Sequence, residues 1–258
     1  MRFTGWKRKA IVLTVLAFLV GSGIVPSTVG IIQNKNGEST LKTGGFIQGL
    51  IDNATDGDTI YIPSGIYYEN IIINKSISLI GEDKETTIID GNWSGDVVSI
   101  ISDGVTISGF TIQNSGEKTY LGFDSGIEVR SNHNIITRNI ISKNAAGIYL
   151  VRCSDSNISG NNISVNVFGV LLSRTKGNRI FKNNFLHNNV DGFARNVFLY
   201  RWCWRQNYWS EPRILPKKIT TELYGIIPGM GTLPPSEFHK LWVPQFDWHP
   251  ALKPYDIP

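Results

Sequence analysis

The block NHNIITRNIISKN (Asn132 to Asn144) returns as SDSNISGNNISVN (Ser154 to Asn166) and again as KGNRIFKNNFLHN (Lys176 to Asn188), 22 residues apart each time. A fixed period of this size, with short apolar runs and Asn-rich breaks, makes each repeat one turn of a solenoid whose core exists only when turns stack. Between the blocks lie GIEV (Gly126 to Val129), GIYL (Gly147 to Leu150) and GVLL (Gly169 to Leu172), and GFAR opens a fourth start at Gly192. Each turn therefore holds about three short strands.

Strand alternation sends Ile127, Val129, Ile148, Leu150, Val170 and Leu172 inward. Ile136, Ile158 and Ile180 form one interior column and Ile141, Ile163 and Phe185 another, with like residues about 4.8 Å apart in parallel pairing. The preferred hand of parallel crossovers predicts a right-handed coil. The expected fold is thus all-β, a right-handed parallel β-helix with about 22 residues per turn, an N-terminal capping helix and an irregular C-terminal cap.

Asn recurs at the corners in two sets: Asn139, Asn161 and Asn183, then Asn144, Asn166 and Asn188. Corners call for residues that tolerate left-handed backbone and satisfy loose peptide groups, so turn chemistry accounts for them. Upstream, Val105 to Asn114 matches the same block with Ile107 in the column of Ile136. Its interval of 29 residues leaves about seven to bulge out around Gly116 to Asp124. Earlier short strands, Asp58 to Glu82 and Thr86 to Gly91, read as less ideal first turns.

Residues 1–30 stand apart. Arg2, Lys7, Arg8 and Lys9 precede the apolar run Ala10 to Val20, the layout of an export signal. The run stretches to Ile32, so an uncleaved membrane anchor over residues 10–32 is the alternative. Residues 31–43 read as a linker, and 44–209 as the β-helix with its capping helix, in which Phe46, Ile47, Leu50, Ile51 and Ala54 share one face. Nine of the eleven prolines follow Ser210, so 210–258 reads as an irregular tail packed on the solenoid. Phe198, Tyr200, Trp202 and Trp204 alternate along one strand, which suits a plug for the last coil or a platform for sugars. Cys153 and Cys203 are compatible with export and with a disulfide. Sequons at Asn53, Asn74, Asn92, Asn157 and Asn162 follow from composition alone.

The formal +4 comes from the leader, and the remaining chain is balanced at 21 basic against 21 acidic residues. The balance hides segregation. Residues 31–125 hold 13 acidic and 5 basic groups, and residues 126–210 hold 3 acidic and 11 basic. Arg152 and Arg174 sit at equal distances after their glycines and should stack on one outward corner, while Arg138 and Lys182 share another column. Like charges so placed favour an acidic partner. The expected ligand-binding residues are Arg138, Arg152 and Arg174, extended by Arg201 and Arg205, and the expected partner is acidic polysaccharide or another envelope component. No motif supports nucleic acid.

Catalytic candidates are sparse. Glycoside hydrolysis requires two carboxyls about 5 to 9.5 Å apart, and Asp124, Glu117 and Asp103 are the best available. No calcium-type cluster of oxygen ligands is visible, and His133, His187, His239 and His249 form no closely spaced ligand set, so neither calcium nor copper gains a defined site.

With these repeats in view, the chain resembles the NosD-like, pectin-lyase-type β-helix proteins, also described as carbohydrate-binding and sugar-hydrolase (CASH) domains. GDTIYIPSGIYYENIIINKSISLIGE (Gly57 to Glu82) looks like the family's first turns and NNISVNVFGVLLSRTKGNRIFKNNF (Asn161 to Phe185) like its later ones. NYWS (Asn207 to Ser210) with QFDWHPALKPYDI (Gln245 to Ile257) is similar to tails on exported archaeal members. The resemblance implies the β-helix and an envelope location, periplasmic, cell-surface or extracellular. Some relatives are named as copper-binding accessory proteins and others are polysaccharide lyases or hydrolases, but neither activity transfers residue by residue. The expectation is therefore an exported, non-catalytic surface protein that binds polysaccharide; the alternatives are a lyase or hydrolase and a copper-maturation accessory.

Overall fold

The computed structural model describes residues 29–33, 39–43, 47–119, 122–195, 204–210, 217–222, 245–247 and 250–257. The stretch read as an export leader and most of the apolar run therefore lie outside the described residues, as do Cys203, Arg201, Phe198, Tyr200 and Trp202. No helix among the described residues is long and apolar enough to cross a membrane.

The described strands form three long sheets, of nine, seven and eight strands, that run the length of a parallel β-solenoid. One regular turn reads Ile135–Thr137 in the first sheet, Ile140–Ser142 in the second and Ala146–Val151 in the third. The next turn lies on it in register, Ile136 against Ile158 and Ile141 against Ile163. The two sequence columns extend well past the repeats. Ile60, Leu79, Ile107, Ile136, Ile158, Ile180 and Trp204 pair in succession along the first sheet, all fully buried. On the third sheet Val98, Ile127, Ile148 and Val170 line up the same way. Each buried aliphatic contributes roughly 1.5–3 kcal/mol.

The fourth glycine start does not hold its expected phase. Pairing keeps 22 residues from Val170 to Gly192, so Gly192 occupies the inward position of Val170 rather than the corner of Gly169. A Cβ there would lie 2.7 Å from the Trp204 ring, so a glycine leaves room for the indole. Trp204 and Trp209 do plug the last coil: Phe185 and Trp209 stack at 4.5 Å, and Trp204 tilts against both.

Asparagines at the first two corners form interior ladders. Asn139 donates from N and Nδ2 to Asn161 Oδ1 (3.1 and 3.2 Å), and Asn161 does the same to Asn183 Oδ1 (3.0 Å each). Each Nδ2 also donates to a backbone carbonyl, as from Asn161 to Ile136 O at 2.9 Å. Asn144, Asn166 and Asn188 repeat the pattern at the next corner. A third ladder, unread in the sequence, runs through Asn134, Ser156 and Asn178. The expectation that Asn itself adopts left-handed backbone is corrected for these ladders. The positive φ falls one residue earlier, on Arg138, Gly160 and Lys182, and on Lys143, Val165 and His187. The ladder amides stay inside.

The helix Ile47–Asn53 caps the N-terminal end, with Ile47, Leu50 and Ile51 buried. Glu69 accepts from Ile47 N and Gln48 N (2.8 and 3.1 Å), and Lys75 Nζ donates to the carbonyls of Ile51, Asp52 and Ala54 at the other end. Gln48 exchanges two hydrogen bonds with Ile72, as a neighbouring strand would. The stretch read as a linker is instead an antiparallel pair, Val29–Gln33 and Ser39–Thr43, that closes the first sheet against Thr59–Ile62. Val29 to Ile32, where the anchor reading ended, are thus strand. The extra residues of the long interval do bulge, as the hairpin Lys118–Thr119 and Gly122–Phe123. The tail is more regular than read: Lys217–Glu222 extends the third sheet and Gln245–Asp247 pairs with it. Asp247, fully buried, accepts from Asn207 N and Nδ2 and ends the first ladder.

Two outcomes check the corners. Replacing Asn161 with Ala strands buried donors and acceptors on both neighbouring turns and should lower stability by about 3 kcal/mol or more, whereas Ser164→Ala on the outside should stay within about 0.5 kcal/mol, both read by urea unfolding. Val165 is a half-exposed β-branched residue at φ 56°, and its counterpart on the neighbouring corner of the same turn is Gly160, also at positive φ. Val165→Gly should raise stability by up to about 1 kcal/mol, since relieved strain exceeds the added chain entropy.

Candidate functional site

The corners decide where the charged side chains go. A left-handed residue at a corner turns its side chain out of the coil, and several basic residues of the repeats occupy those positions. Arg138 (φ 57°) and Lys182 (φ 54°) lie at the corner between the first and second sheets. Arg152 (φ 52°) and Arg174 (φ 55°) lie at the corner between the third and the first. The two pairs stand on opposite borders of one surface, the outer face of the first sheet. All four are exposed.

Sequence reading missed two residues that fill out this face. Lys176 follows Arg174 on the border, bridged through its backbone to Ser154. Arg179 opens the strand Arg179–Phe181 and is exposed on the face itself, in register with Ile135 and Asn157. Arg205 is exposed at the end of the same sheet. The signal for Arg179 was available, since it shares the phase of Ile135, an outward position.

Among the described residues the ion pairs are Lys84–Glu85 and Arg130–Glu128. None of the cations on this face takes part in either. Repulsion between stacked charges at a turn's spacing is under about 1 kcal/mol per pair in water, which the fold tolerates and an anion would relieve. Asp155 is an acid on this same border, with its carboxylate turned against Gly177.

Of the predicted carboxyl residues, Glu117 and Asp124 meet across the base of the hairpin, where Asp124 N donates to Glu117 O at 3.4 Å, and Asp103 lies apart from them. Asp103 sits in the turn before Thr106–Ser108 and accepts from Asn132 N at 2.7 Å, a turn-stabilising role. Glu117 is exposed on the hairpin, on a different corner. Asp124 has a carboxyl neighbour that sequence reading did not find, Asp96. Burial, and then the charge of Asp96, push the Asp124 carboxyl above its usual range. Asp96 Oδ1 accepts from Ser125 N and Oγ (2.7 and 2.6 Å). The insertion between the two turns breaks the period, which hid their adjacency. Arg130 grips Glu128 through two bonds (2.7 and 2.8 Å), and Glu128, Asp96 and Tyr149 favour its charged form.

Metal-ligating chemistry is thin. No group of three or more His, Cys, Asp or Glu residues converges among the described residues. His133 and His187 occupy separate corners, and His239 and His249 lie outside the described residues. Cys153 is buried in the core, where desolvation pushes its thiol up to about 12, against the thiolate a metal requires. The disulfide with Cys203 falls outside the described residues.

No curated protein sequence matches this chain. Among solved structures it is similar to the pectin methylesterase from Yersinia enterocolitica, with 16% identity and a TM-score of 0.43 over 67% of this chain. The match covers 61% of that enzyme's chain, less than two thirds of its length. Residues 122–224, which span the regular turns and the first strand of the tail, match the family model described as periplasmic copper-binding protein (NosD).

Proposed function

We propose that this protein is an exported, non-catalytic β-helix protein that holds an acidic polysaccharide, or a similar anionic component of the cell envelope, on the outer face of its first sheet. The observation that carries the reading is the set of exposed cations on and beside that face that join no ion pair among the described residues: Arg138, Lys182, Arg152, Arg174, Lys176, Arg179 and Arg205. Parallel pairing sets Arg152 and Arg174 one turn apart, about 4.8 Å, and Arg138 and Lys182 two turns apart, a spread along the axis suited to a polymer rather than to a single small anion. The family's description as periplasmic accords with an envelope location. Its description as copper-binding finds no fitting ligand set among the described residues.

A hydrolase or lyase reading retains one observation, the Asp96–Asp124 pair with its raised Asp124 carboxyl. Release of reducing ends or unsaturated products from uronic-acid polymers, abolished by Asp124→Asn, would favour it over binding alone.

The binding reading is checked with polygalacturonate and the full chain. Reversing Arg152 and Arg174 to Glu should weaken binding about tenfold or more, and raising salt should weaken the wild type in the same direction. Unchanged affinity in the double variant would sink the reading.

A further inference from the structure

The outer face of the first sheet is basic over only half its length. Its two borders continue to the N-terminal turns, and there both change sign. On the border between the third sheet and the first, Asp56 accepts from Ser76 N at 2.8 Å, and Gly104, beside Asp103, backs onto Ser76. Asp103 accepts from Asn132 N (2.7 Å), Asn132 Oδ1 accepts from Ser154 N (2.8 Å), and Ser154 bridges to Lys176. One corner therefore runs from Asp56 and Asp103 to Arg152, Arg174 and Lys176. On the other border the strand Ser78–Gly81 turns out through Glu82, Asp83 and Glu85, and Gly81 lies against Gly109. Gly109 N donates to Arg138 O, Arg138 N to Gly160 O and Gly160 N to Lys182 O, which carries this corner on to Lys182. All five of these acids are exposed. Against the split stand Asp155, Lys84, which is half-buried beside Glu85, and Lys75, whose ammonium is held by the carbonyls of the capping helix.

Between the borders the face is flat. Ser78, Thr106, Ser108, Thr137 and Ser159 project from it, half-buried, and Ile135 is 41% exposed near its midpoint. Parallel strands from Thr59–Ile62 to Trp204–Arg205 carry it for about 30 Å. A face that is acidic at one end and basic at the other, on both borders, is complementary to itself. A two-fold axis lying across the face, perpendicular to the solenoid axis, reverses a second copy, keeps each border against its own counterpart and lays acid on base at both ends. A two-fold along the solenoid axis would lay like charge on like. End-to-end stacking would have to displace the helix Ile47–Asn53 from the first turn. With its border side chains the face is roughly 20 Å wide, so each copy covers about 600 Å² of the other, the low end for a specific contact and one that depends on charge.

We infer that a second copy of this chain docks antiparallel on the outer face of the first sheet, the acidic half of each on the basic half of the other, in a dimer that comes apart as salt rises. The inference goes beyond the polyanion reading and does not rest on it. The dimer needs the acids and the cations alike, whereas a polyanion needs the cations alone. The two occupants share one face and exclude each other.

The experiment is sedimentation velocity of the full chain. At about 20 mM salt and about 50 μM protein the wild type should form a dimer and nothing larger, and at about 0.5 M salt it should return to monomer. Reversing Glu82 and Glu85 to Lys, or Arg138 and Lys182 to Glu, should each weaken self-association tenfold or more. Mixed in equal amounts, these two variants should recover the dimer, because their reversals meet across the same border. The Glu82 and Glu85 variant mixed with one reversed at Arg152 and Arg174 should not recover it, because those arginines lie on the other border. A wild type that is monomeric at low salt, association that survives both reversals, as the apolar run of residues 10–32 would give, or no recovery between variants that melt with the wild type would each overturn the inference. A monomeric wild type that still binds polygalacturonate would overturn the dimer alone.

Discussion

A chain that doubles back three times in 22 residues leaves, at every corner, peptide groups that point inward with no strand to meet them. Burying such groups unpaired costs about 1–3 kcal/mol each, and a solenoid multiplies the problem by its number of turns. The interior amides at Asn139, Asn161 and Asn183 and at Asn144, Asn166 and Asn188 meet these groups directly. Each carbonyl oxygen takes the backbone N–H and side-chain amide of the turn before, and each amide nitrogen reaches a carbonyl behind it and the next rung ahead. The aliphatic columns can stack only because the corners are satisfied in this way.

The ladders also have direction. Every amide is oriented alike, with its nitrogen toward the C-terminal end, so each column ends on donors that need an acceptor. Asn207 gives its hydrogens to Asp247, and Asn188 donates to Asp191 Oδ1 at 3.2 Å. Both columns thus finish on a carboxylate, where a further asparagine would carry two donors with no next rung to receive them. The opposite end begins with backbone donors, Phe110 N and Ser115 N.

What could be read in the sequence follows from this chemistry. Ile136, Ile158 and Ile180 announce their column because a buried strand position accepts few residue types, and the same holds for the asparagines. The third ladder escaped because serine replaces asparagine at Ser156, which breaks the visible pattern while keeping an acceptor oxygen in place. The left-handed corner residues escaped because Arg138, Lys143, Val165 and Lys182 have no preference for that backbone; the fold imposes it. Of the candidate site residues, Arg152 and Arg174 could be placed by counting, since period alone sets their phase. Asp96 could not, because the hairpin inserted before Asp124 shifts the count by a third of a turn. Asp247 lies 40 residues beyond the amide it serves, in a tail whose prolines suggested irregularity.

Because each rung is both acceptor and donor, a ladder can hold any number of asparagines between its backbone start and its closing carboxylate. Neither end senses how many rungs separate them. Duplicating one 22-residue unit would lengthen the molecule by a single sheet spacing and carry another set of corner side chains along with it, leaving both caps untouched. The architecture therefore behaves as a ruler whose length is free to drift by duplication, and any ligand laid along its axis is measured in the same unit.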